Sequence, residues 1–340
     1  MDGQTDASYD TQAAMTDQPS LFARSSGEAV ALEQRWLRLG SVAAALPETL
    51  RMGTSSWSFP GWRGIVYPDE ATPTRLARDG LRDYAKHPLL RTVGIDRSYY
   101  APIPEEDLRR YADQLPPDFV CCTKAPAAVT SFALPGAARA EANPDFLSAE
   151  RFTEEIIEPF ARAFAPHTGP FLLQFSPLGQ HATLDPGAFA EMLDGFLGAM
   201  PAMCEFAVEL RDRSLVSDTY RRVLNRHAAV HVMNYWSAMP MPGEQADMVP
   251  QGAAPFVMVR LLMRPGTRYE QQREEMRPFN RIVQPDERMR QDVVGILARA
   301  GREKRRTYLL VNNKAEGSAP LTIEAIAERL AGVKGGVDTG

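Results

Sequence analysis

Eight short apolar runs lie along this chain, and helix-like segments separate most of them. A strand buried on both faces has a nearly continuous apolar sequence, because helices cover both faces of a parallel sheet. The run lengths, together with the Pro, Gly and Asp residues that bound them, favour strands over helices. The runs span residues 51–57, 90–100, 119–126, 170–176, 205–212, 228–236, 255–263 and 307–313. Eight strand-plus-helix units predict an α/β fold, a single (β/α)8 barrel of the TIM type.

Helical periodicity and start signals such as Asp185 before Pro186 predict helices between the runs. The predicted helices span 74–87, 105–114, 149–165, 186–200, 217–226, 286–300 and 322–330. The stretch 239–254 is rich in Met, Pro and Gly, and we expect it to be irregular. Long excursions at 139–146 and 263–284 follow the third and seventh runs, so they are expected to lie over the C-terminal mouth of the barrel.

The chain of 340 residues is longer than the roughly 250 that such a barrel needs, and an N-terminal extension accounts for the excess. Residues 1–27 have few large apolar groups and are predicted to be a disordered tail. Residues 28–50 are predicted to form a helical extension that packs against the barrel. The barrel itself is predicted to span 51–333, and residues 334–340 to form a flexible C-terminus.

The composition narrows the class of protein. A net charge of −5 argues against a globally basic nucleic-acid binder, although it is compatible with a local basic cleft. No stretch approaches the roughly 18 apolar residues of a membrane span, and the polar, acidic start is unlike a signal peptide, so no membrane contact is expected. Three cysteines, two of them adjacent, do not form a disulfide framework, and a cytoplasmic location is expected.

Side chains alternate along a strand, so each run has one face toward the helices and one toward the barrel interior. In the fifth run Ala207, Glu209 and Arg211 share the face that we expect to point inward. The same alternation predicts inward-facing polar residues near the ends of the other runs. Together they are Asp96, Lys124, Gln174, Glu209, Arg211, Arg260 and Asn313. Active sites of such barrels lie at the C-terminal strand ends, so these residues are predicted to form one site.

Three cations and two carboxylates in this set favour an anionic ligand that carries a carboxylate or a phosphate. Lys124 is a candidate catalytic residue that can hold such a charge or, if its pKa is lowered, form a Schiff base; we prefer the first role. Glu209 is the second catalytic candidate, as a general base oriented by Arg211 or Lys124. Mutual neutralisation of these charges in a purely structural network is the alternative.

The remaining candidates are ligand-binding. Arg260 is suited to grip a carboxylate or phosphate with two hydrogen bonds, and Asn312 and Asn313 offer amides that orient a ligand. Aromatic residues at or just after strand ends can stack on a flat ligand, although packing is an equally common role for them there. They are Trp57, Trp62, Tyr99, Tyr100, Tyr235 and Trp236.

Several segments also resemble a known family. They are 53–59 (GTSSWSF), 62–64 (WRG), 67–68 (YP), 93–100, 124–126 (KAP), 173–175 (LQF), 208–211 (VELR) and 311–313 (VNN). In this order they are similar to the signatures of the YecE-like family, domain of unknown function 72, over about residues 51 to 333. The resemblance implies a barrel fold, and it implies no particular reaction.

The chain departs from that family at positions that matter for chemistry. The resemblance implies a Glu at Gly94, an Asn at Asp96, a His near Ser131, a Trp near Leu215, and His-Gly at Leu262 and Met263. Carboxylate and imidazole groups are the usual acid–base catalysts. The sequence therefore indicates a divergent member whose chemistry is altered or lost.

Other chemistries have little support in the sequence. Neither a Walker-type loop nor a dinucleotide-binding GxGxxG loop is present, so we expect neither a nucleotide-triphosphate hydrolase nor a nicotinamide oxidoreductase. Of the five histidines only His231 lies in a run, and no metal or cofactor is predicted. The preferred function is binding of a small anionic ligand, with metal-independent acid–base chemistry. Nucleic-acid binding or processing and a non-catalytic sensor or scaffold are the alternatives, and the oligomeric state stays open.

Overall fold

The computed structural model describes residues 21–133, 143–177, 184–252 and 254–335. Eight parallel strands close into a barrel in chain order, each one paired with its sequence neighbours and the last with the first. The strands are β1 Leu50–Thr54, β2 Leu90–Ile95, β3 Val120–Lys124, β4 Thr168–Phe175, β5 Phe206–Leu210, β6 Val230–Tyr235, β7 Phe256–Leu261 and β8 Arg306–Val311. Each overlaps one predicted run, which confirms the TIM-type barrel.

Helices cover the outer face of the barrel. They are α1 Leu21–Ala44, α2 Pro73–Asp79, α3 Leu81–Tyr84, α4 Glu105–Ala112, α5 Ala127–Thr130, α6 Ala149–Phe152, α7 Glu158–Ala163, α8 Pro186–Gly198, α9 Asp218–Arg226, α10 Pro242–Met248, α11 Tyr269–Met276, α12 Glu287–Arg302 and α13 Ala319–Gly335. A π-helical turn, Thr153–Ile157, joins α6 to α7. Within the described parts of the chain, no helix is long and apolar enough to cross a membrane.

Helix α10 lies in the stretch 239–254 that was expected to be irregular, so that prediction is wrong. Pro242 at the first position has the backbone angle of a helix already fixed. The helix is then held by Gln245, whose buried side chain bonds to the backbone of Asn234 in β6. A helix stabilised by such a distant contact leaves little local periodicity in the sequence. Of the excursion predicted at 139–146, residues 139–142 lie outside the described residues.

The N-terminal helix is longer than the sequence suggested. Helix α1 begins at Leu21, so residues 21–27 of the predicted disordered tail are helical, while residues 1–20 lie outside the described residues. Arg35 on α1 forms a bidentate ion pair with Glu324 on α13, with nitrogen–oxygen distances of 2.6–2.9 Å. Leu39 is fully buried. The helix thus packs on the barrel through both apolar and ionic contacts.

Two apolar layers lie on either side of the sheet. The outer layer joins the strands to the helices, and the inner layer fills the barrel. The buried members of the inner layer are Cys122, Leu172, Ala207, Val230, Val232, Phe256, Met258, Tyr308 and Leu310. These residues show which face of each strand points inward, and therefore which polar residues at the strand ends can reach the mouth.

The ladder between β5 and β6 is the shortest of the eight. Its pairs in register are Ala207 with Val230 and Val208 with His231. Nearer the mouth, Asn234 Nδ2 donates to the Leu210 carbonyl oxygen at 2.7 Å. The upper ends of β5 and β6 are therefore joined through a side-chain amide.

Candidate functional site at the C-terminal mouth of the barrel

A chain of hydrogen-bonded side chains crosses the mouth from β4 to β7. Glu209 at the end of β5 is fully buried, and its Oε2 accepts from Arg260 Nη1 at 2.5 Å. Its Oε1 accepts from Arg211 Nε at 2.9 Å. Arg211 Nη2 in turn donates to Gln174 Oε1 at 2.6 Å. The sequence-based expectation that these four residues lie together agrees with this geometry.

Both oxygens of the Glu209 carboxylate are thus engaged by guanidinium groups. Burial is the largest influence on this carboxyl group and would raise its pKa, but the charges and hydrogen bonds of Arg260 and Arg211 hold the pKa below its usual range. A carboxylate that is locked and held ionised in this way is a weak general base. The geometry therefore favours a structural and electrostatic role for Glu209 over the predicted catalytic one.

Lys124 lies at the end of β3, and its side chain is almost completely buried, with 7% exposed. Its Nζ is 3.5 Å from the centroid of the Tyr99 ring, a cation–π contact. Among the residues that the structure describes, no carboxylate lies within ion-pair distance of this amine. Burial, reinforced by Arg260 and Arg211, lowers the pKa of Lys124 to about 8, although Asp96 acts in the opposite direction.

Asp96 follows β2 directly, and its side chain is 30% exposed. Its Oδ1 is 3.7 Å from Arg260 Nη2, so Arg260 lies between the carboxylates of Asp96 and Glu209. Ile95 and Thr123 pair in register, and this pairing brings Asp96 and Lys124 to adjacent strand ends. Asp96 is therefore the more accessible of these two carboxylates.

Two buried polar atoms at the mouth lack hydrogen-bond partners within the described ranges: Arg260 Nε and Asn234 Oδ1. These residues pair in register on β6 and β7, and both are almost fully buried. A water molecule or a ligand group that is both donor and acceptor would satisfy them. Asn234 was not among the predicted site residues. The alternation from Val230 and Val232, both in the inner layer, could have identified it.

Of the six aromatic residues predicted near the mouth, Tyr99 and Trp236 contact its cations. Tyr99 lies against Lys124, and the Trp236 ring centroid is 4.2 Å from the guanidinium carbon of Arg211. Tyr100 packs edge-on against Tyr99 but is 82% exposed, so it lies on the rim.

Trp57 does not lie at the mouth, contrary to the prediction. Strand β1 ends at Thr54, and Trp57 belongs to the outer apolar layer. Its indole nitrogen donates to the Leu76 carbonyl oxygen at 2.9 Å, and its ring packs edge-on against Tyr111. Trp57 is therefore a packing residue.

The two asparagines after β8 shape the backbone. Asn313 Oδ1 accepts from Trp62 Nε1 at 3.1 Å and from the Ala319 backbone nitrogen at 2.8 Å, beneath the outer layer. The prediction that Asn313 points into the mouth is therefore wrong. Asn312 caps the following turn by accepting from the Lys314 backbone nitrogen at 3.1 Å. The inward positions of β8 are Tyr308 and Leu310, one residue out of phase with the predicted face.

At some positions where this chain departs from the signatures of the family that it resembles, the structure gives a reason for the departure. A Cβ atom on Gly94 would lie 2.8 Å from the Ser55 carbonyl oxygen, so any side chain there requires the backbone to shift. Leu215, Leu262 and Met263 are all buried apolar residues. At Leu262, apolar packing thus occupies a position where the resemblance implies a histidine.

A cavity of about 810 Å³ lies outside the barrel, between α10 and α12. Its walls include Met233 and Val257, which belong to the outer apolar layer, and so it does not open on the charged cluster. We take the mouth as the candidate site because chemistry in this fold is located at the C-terminal strand ends and the perturbed ionisable groups lie there.

The fold and the mouth define a (β/α)8-barrel protein with a buried charged cluster at the C-terminal strand ends. The chain belongs to the DUF72 family, described as proteins of unknown function, whose family model matches residues 51–338. None of the curated protein sequences matches it significantly.

Solved structures with the same fold carry the same family description. A DUF72 family protein from Thermotoga maritima MSB8 is 20% identical, with 83% of this chain and 98% of that chain covered and a TM-score of 0.57. A DUF72 family protein from Enterococcus faecalis V583 is 15% identical, with coverage of 82% and 95% and a TM-score of 0.56. These similarities support the fold and leave the activity open.

Proposed function

We propose that the C-terminal mouth of the barrel binds a small anionic molecule, a carboxylate or a phosphate, and that Lys124 contacts it. The observation that carries the proposal is the buried Lys124 amine, which has no carboxylate within ion-pair distance among the described residues. An unpaired buried ammonium is destabilising by several kcal/mol, on the order of the desolvation cost of an ion. A bound anion would supply the missing counter-charge.

The balance of charges supports a small ligand. Among the described residues of the cluster, Lys124, Arg211 and Arg260 face two carboxylates, Asp96 and Glu209. One positive charge is left over when Lys124 is protonated. Because the guanidinium groups already bind Glu209, they act on a ligand mainly through their field, and a singly charged anion balances the cluster.

In this proposal Lys124 is the acid–base group of the mouth. An acid–base group works best when its pKa lies near the working pH, and that of Lys124 is lowered to about 8. Glu209 lacks a free oxygen for this role.

Nucleic-acid binding, the alternative from the sequence, has less support. A phosphate backbone is usually bound by an exposed row of cations, and the affinity then falls steeply with salt. Arg260 and Lys124 are buried, and Arg211 is largely so, with 15% of its side chain exposed. Retention of any oligonucleotide at low salt would favour this alternative.

Isothermal titration calorimetry tests the proposal, with phosphate, lactate and glycerol 3-phosphate as probes. We expect wild-type protein to bind at least one of them, and Lys124→Met to lose about tenfold or more in affinity, roughly the loss of one charged contact. Lys86→Met is the matched control, because Lys86 is exposed and already pairs with Asp83. Absence of binding by all three anions, or equal binding by Lys124→Met, would contradict the proposal and favour a scaffold role.

A further inference from the structure

Most of the basic residues of this chain are arginines. Only five of its 38 basic residues Lys and Arg are lysines. Both cations that bind Glu209 at the mouth are arginines, and the cation without a carboxylate partner among the described residues is Lys124. A guanidinium stays protonated in proteins, whereas an amine can lose its proton and become a nucleophile. Lys124 therefore differs from its two arginine neighbours, because its side chain can become a neutral nucleophile and theirs cannot.

Lys124 is also held in place by its backbone. It is the last residue of β3, and its carbonyl oxygen accepts from Ser98 Oγ at 2.6 Å. The next residue, Ala125, donates its backbone N–H to the Leu172 carbonyl oxygen at 2.9 Å. The amine thus extends from a rigid strand end into the mouth, with the Tyr99 ring on one side of it. Reactive groups on rigid elements are positioned more precisely than groups on loops.

We infer that Lys124 is a nucleophile that forms an imine with a small anionic aldehyde or ketone. This inference rests on the proposed function, because it names the chemical class of the anion. The lowered pKa of about 8 supports it, since about one Lys124 amine in ten is then uncharged at pH 7. The arginines contribute to that lowering and also attract the charged end of the ligand.

The reaction is a condensation and needs no oxidant or reductant. The neutral Nζ attacks the carbonyl carbon, a C–N bond forms, and the carbonyl oxygen takes up a proton to give a carbinolamine. The C–O bond then breaks, the oxygen leaves as water, and the nitrogen lone pair completes the C=N bond. The two amine hydrogens leave in that water molecule. Asp96, the more accessible carboxylate on the neighbouring strand end, is placed to transfer the proton to the departing oxygen.

Lys314 provides an internal comparison. It also lies over an aromatic ring, with Nζ 4.7 Å from the Tyr269 centroid, but it is partly exposed. If contact with an aromatic ring were enough to activate an amine, Lys314 would react as readily as Lys124. Preference for Lys124 over Lys314 therefore isolates the effect of burial in the charged mouth.

Reductive trapping tests the inference on the full chain. The protein is incubated near pH 8 with pyruvate or dihydroxyacetone phosphate and sodium cyanoborohydride, which reduces an imine to a stable amine. Peptide mapping by mass spectrometry then locates the adduct. We expect at least about tenfold more adduct on Lys124 than on Lys86, Lys304 or Lys314, because each unit by which burial lowers the pKa of the Lys124 amine gives about tenfold more of its neutral form. Lactate and glycerol 3-phosphate, which have no aldehyde or ketone group, are expected to give none.

Two variants distinguish the nucleophilic role of the Lys124 amine from the effect of its positive charge. Lys124→Arg keeps the positive charge and removes the nucleophile, so it should lose the adduct while it still binds lactate or glycerol 3-phosphate. Lys314→Arg should leave the adduct on Lys124 unchanged. Anion binding by wild-type protein without an adduct on Lys124 overturns the imine inference and leaves the proposed function standing. An adduct spread evenly over the exposed lysines also overturns it. Absence of both binding and adduct overturns both proposals.

Discussion

Glu209 and Arg260 form a fully buried ion pair at the mouth of the barrel, in which Oε2 and Nη1 are 2.5 Å apart. The second carboxylate oxygen binds Arg211, so one anion holds two guanidinium groups in fixed positions. Desolvation of both partners offsets much of the attraction in such a pair. Its main consequence is therefore that removal of Glu209 leaves two guanidinium groups with only Asp96, 3.7 Å from Arg260, to balance them among the described residues.

The first prediction follows from this pair. Glu209→Gln should lower the free energy of unfolding by about 3–5 kcal/mol, because Arg211 loses its carboxylate partner and, of the described carboxylates, the buried Arg260 keeps only Asp96, at 3.7 Å. Urea unfolding of the purified variant measures the change. Glu244→Gln, which disrupts the exposed pair with Arg288, is the control and should have no measurable effect. Equal stabilities of the two variants would show that the buried pair is electrostatically unimportant.

The second prediction concerns the unpaired cation. Lys124→Met should stabilise the protein at pH 7 by about 1–3 kcal/mol, because it replaces a buried ammonium, which no described carboxylate approaches within ion-pair distance, by an apolar side chain of similar length. Thermal and urea unfolding in the absence of anions measure the gain. Lys86→Met should give none, since Lys86 is exposed. A loss of stability in Lys124→Met would mean that the amine has a favourable partner.

The pH dependence of stability is the third prediction. Burial lowers the pKa of Lys124 from 10.5 to about 8, so between these values the unfolded chain holds a proton that the folded chain has released. The free energy of unfolding of the wild type, relative to Lys124→Met, should therefore rise with pH across this window, by up to about 3 kcal/mol. Parallel profiles for the two proteins would contradict the lowered pKa.

Anion affinity gives the fourth prediction. A ligand that pairs with the protonated amine should bind more weakly as the pH rises above about 8, by up to about tenfold per unit, because a proton must then be taken up on binding. Calorimetry with lactate measures the dependence. In Lys124→Arg the cation persists, so the affinity should be independent of pH in this range. The same slope in both proteins would assign the effect to another group.

Asn313 supplies the fifth prediction. Asn313→Ala should lower the free energy of unfolding by about 1–3 kcal/mol, because Trp62 Nε1 and the Ala319 backbone nitrogen lose a buried acceptor. Anion affinity should stay at the wild-type value, since the side chain lies away from the mouth. A loss of affinity without a loss of stability would restore the ligand-binding role first expected from the sequence.

Alternation of polar and apolar residues identifies the inward face of a strand where a charged or amide side chain interrupts the apolar run. In β5, Glu209 interrupts an apolar run, and Arg211 follows two positions later, so the inward face was readable from the sequence. Lys124, Gln174 and Arg260 mark β3, β4 and β7 in the same way, and the barrel and the core of the charged cluster were predicted from them.

The errors arose where that marker was missing. Strand β8 is apolar on both faces, with Tyr308 and Leu310 inside and Leu309 and Val311 outside, so its orientation could not be read and Asn313 was placed on the wrong side. The turn after β2 places Tyr99 against Lys124 and leaves Tyr100 exposed, and alternation could not distinguish these two predicted residues. Helix α10 depends on the distant contact between Gln245 and Asn234.

Because the ladder between β5 and β6 is short, these two strands are held together by fewer backbone pairs than other neighbouring strands, and they lie next to the charged cluster. Parting the upper ends of these two strands requires the Asn234 amide to exchange its bond to the Leu210 carbonyl for water, while the two register pairs lower in the ladder stay intact. Local breathing of the wall should therefore begin on this side. A ligand that donates a hydrogen bond to Asn234 Oδ1, which has no partner within the described parts of the chain, would oppose this separation and make the barrel stiffer when occupied than when empty.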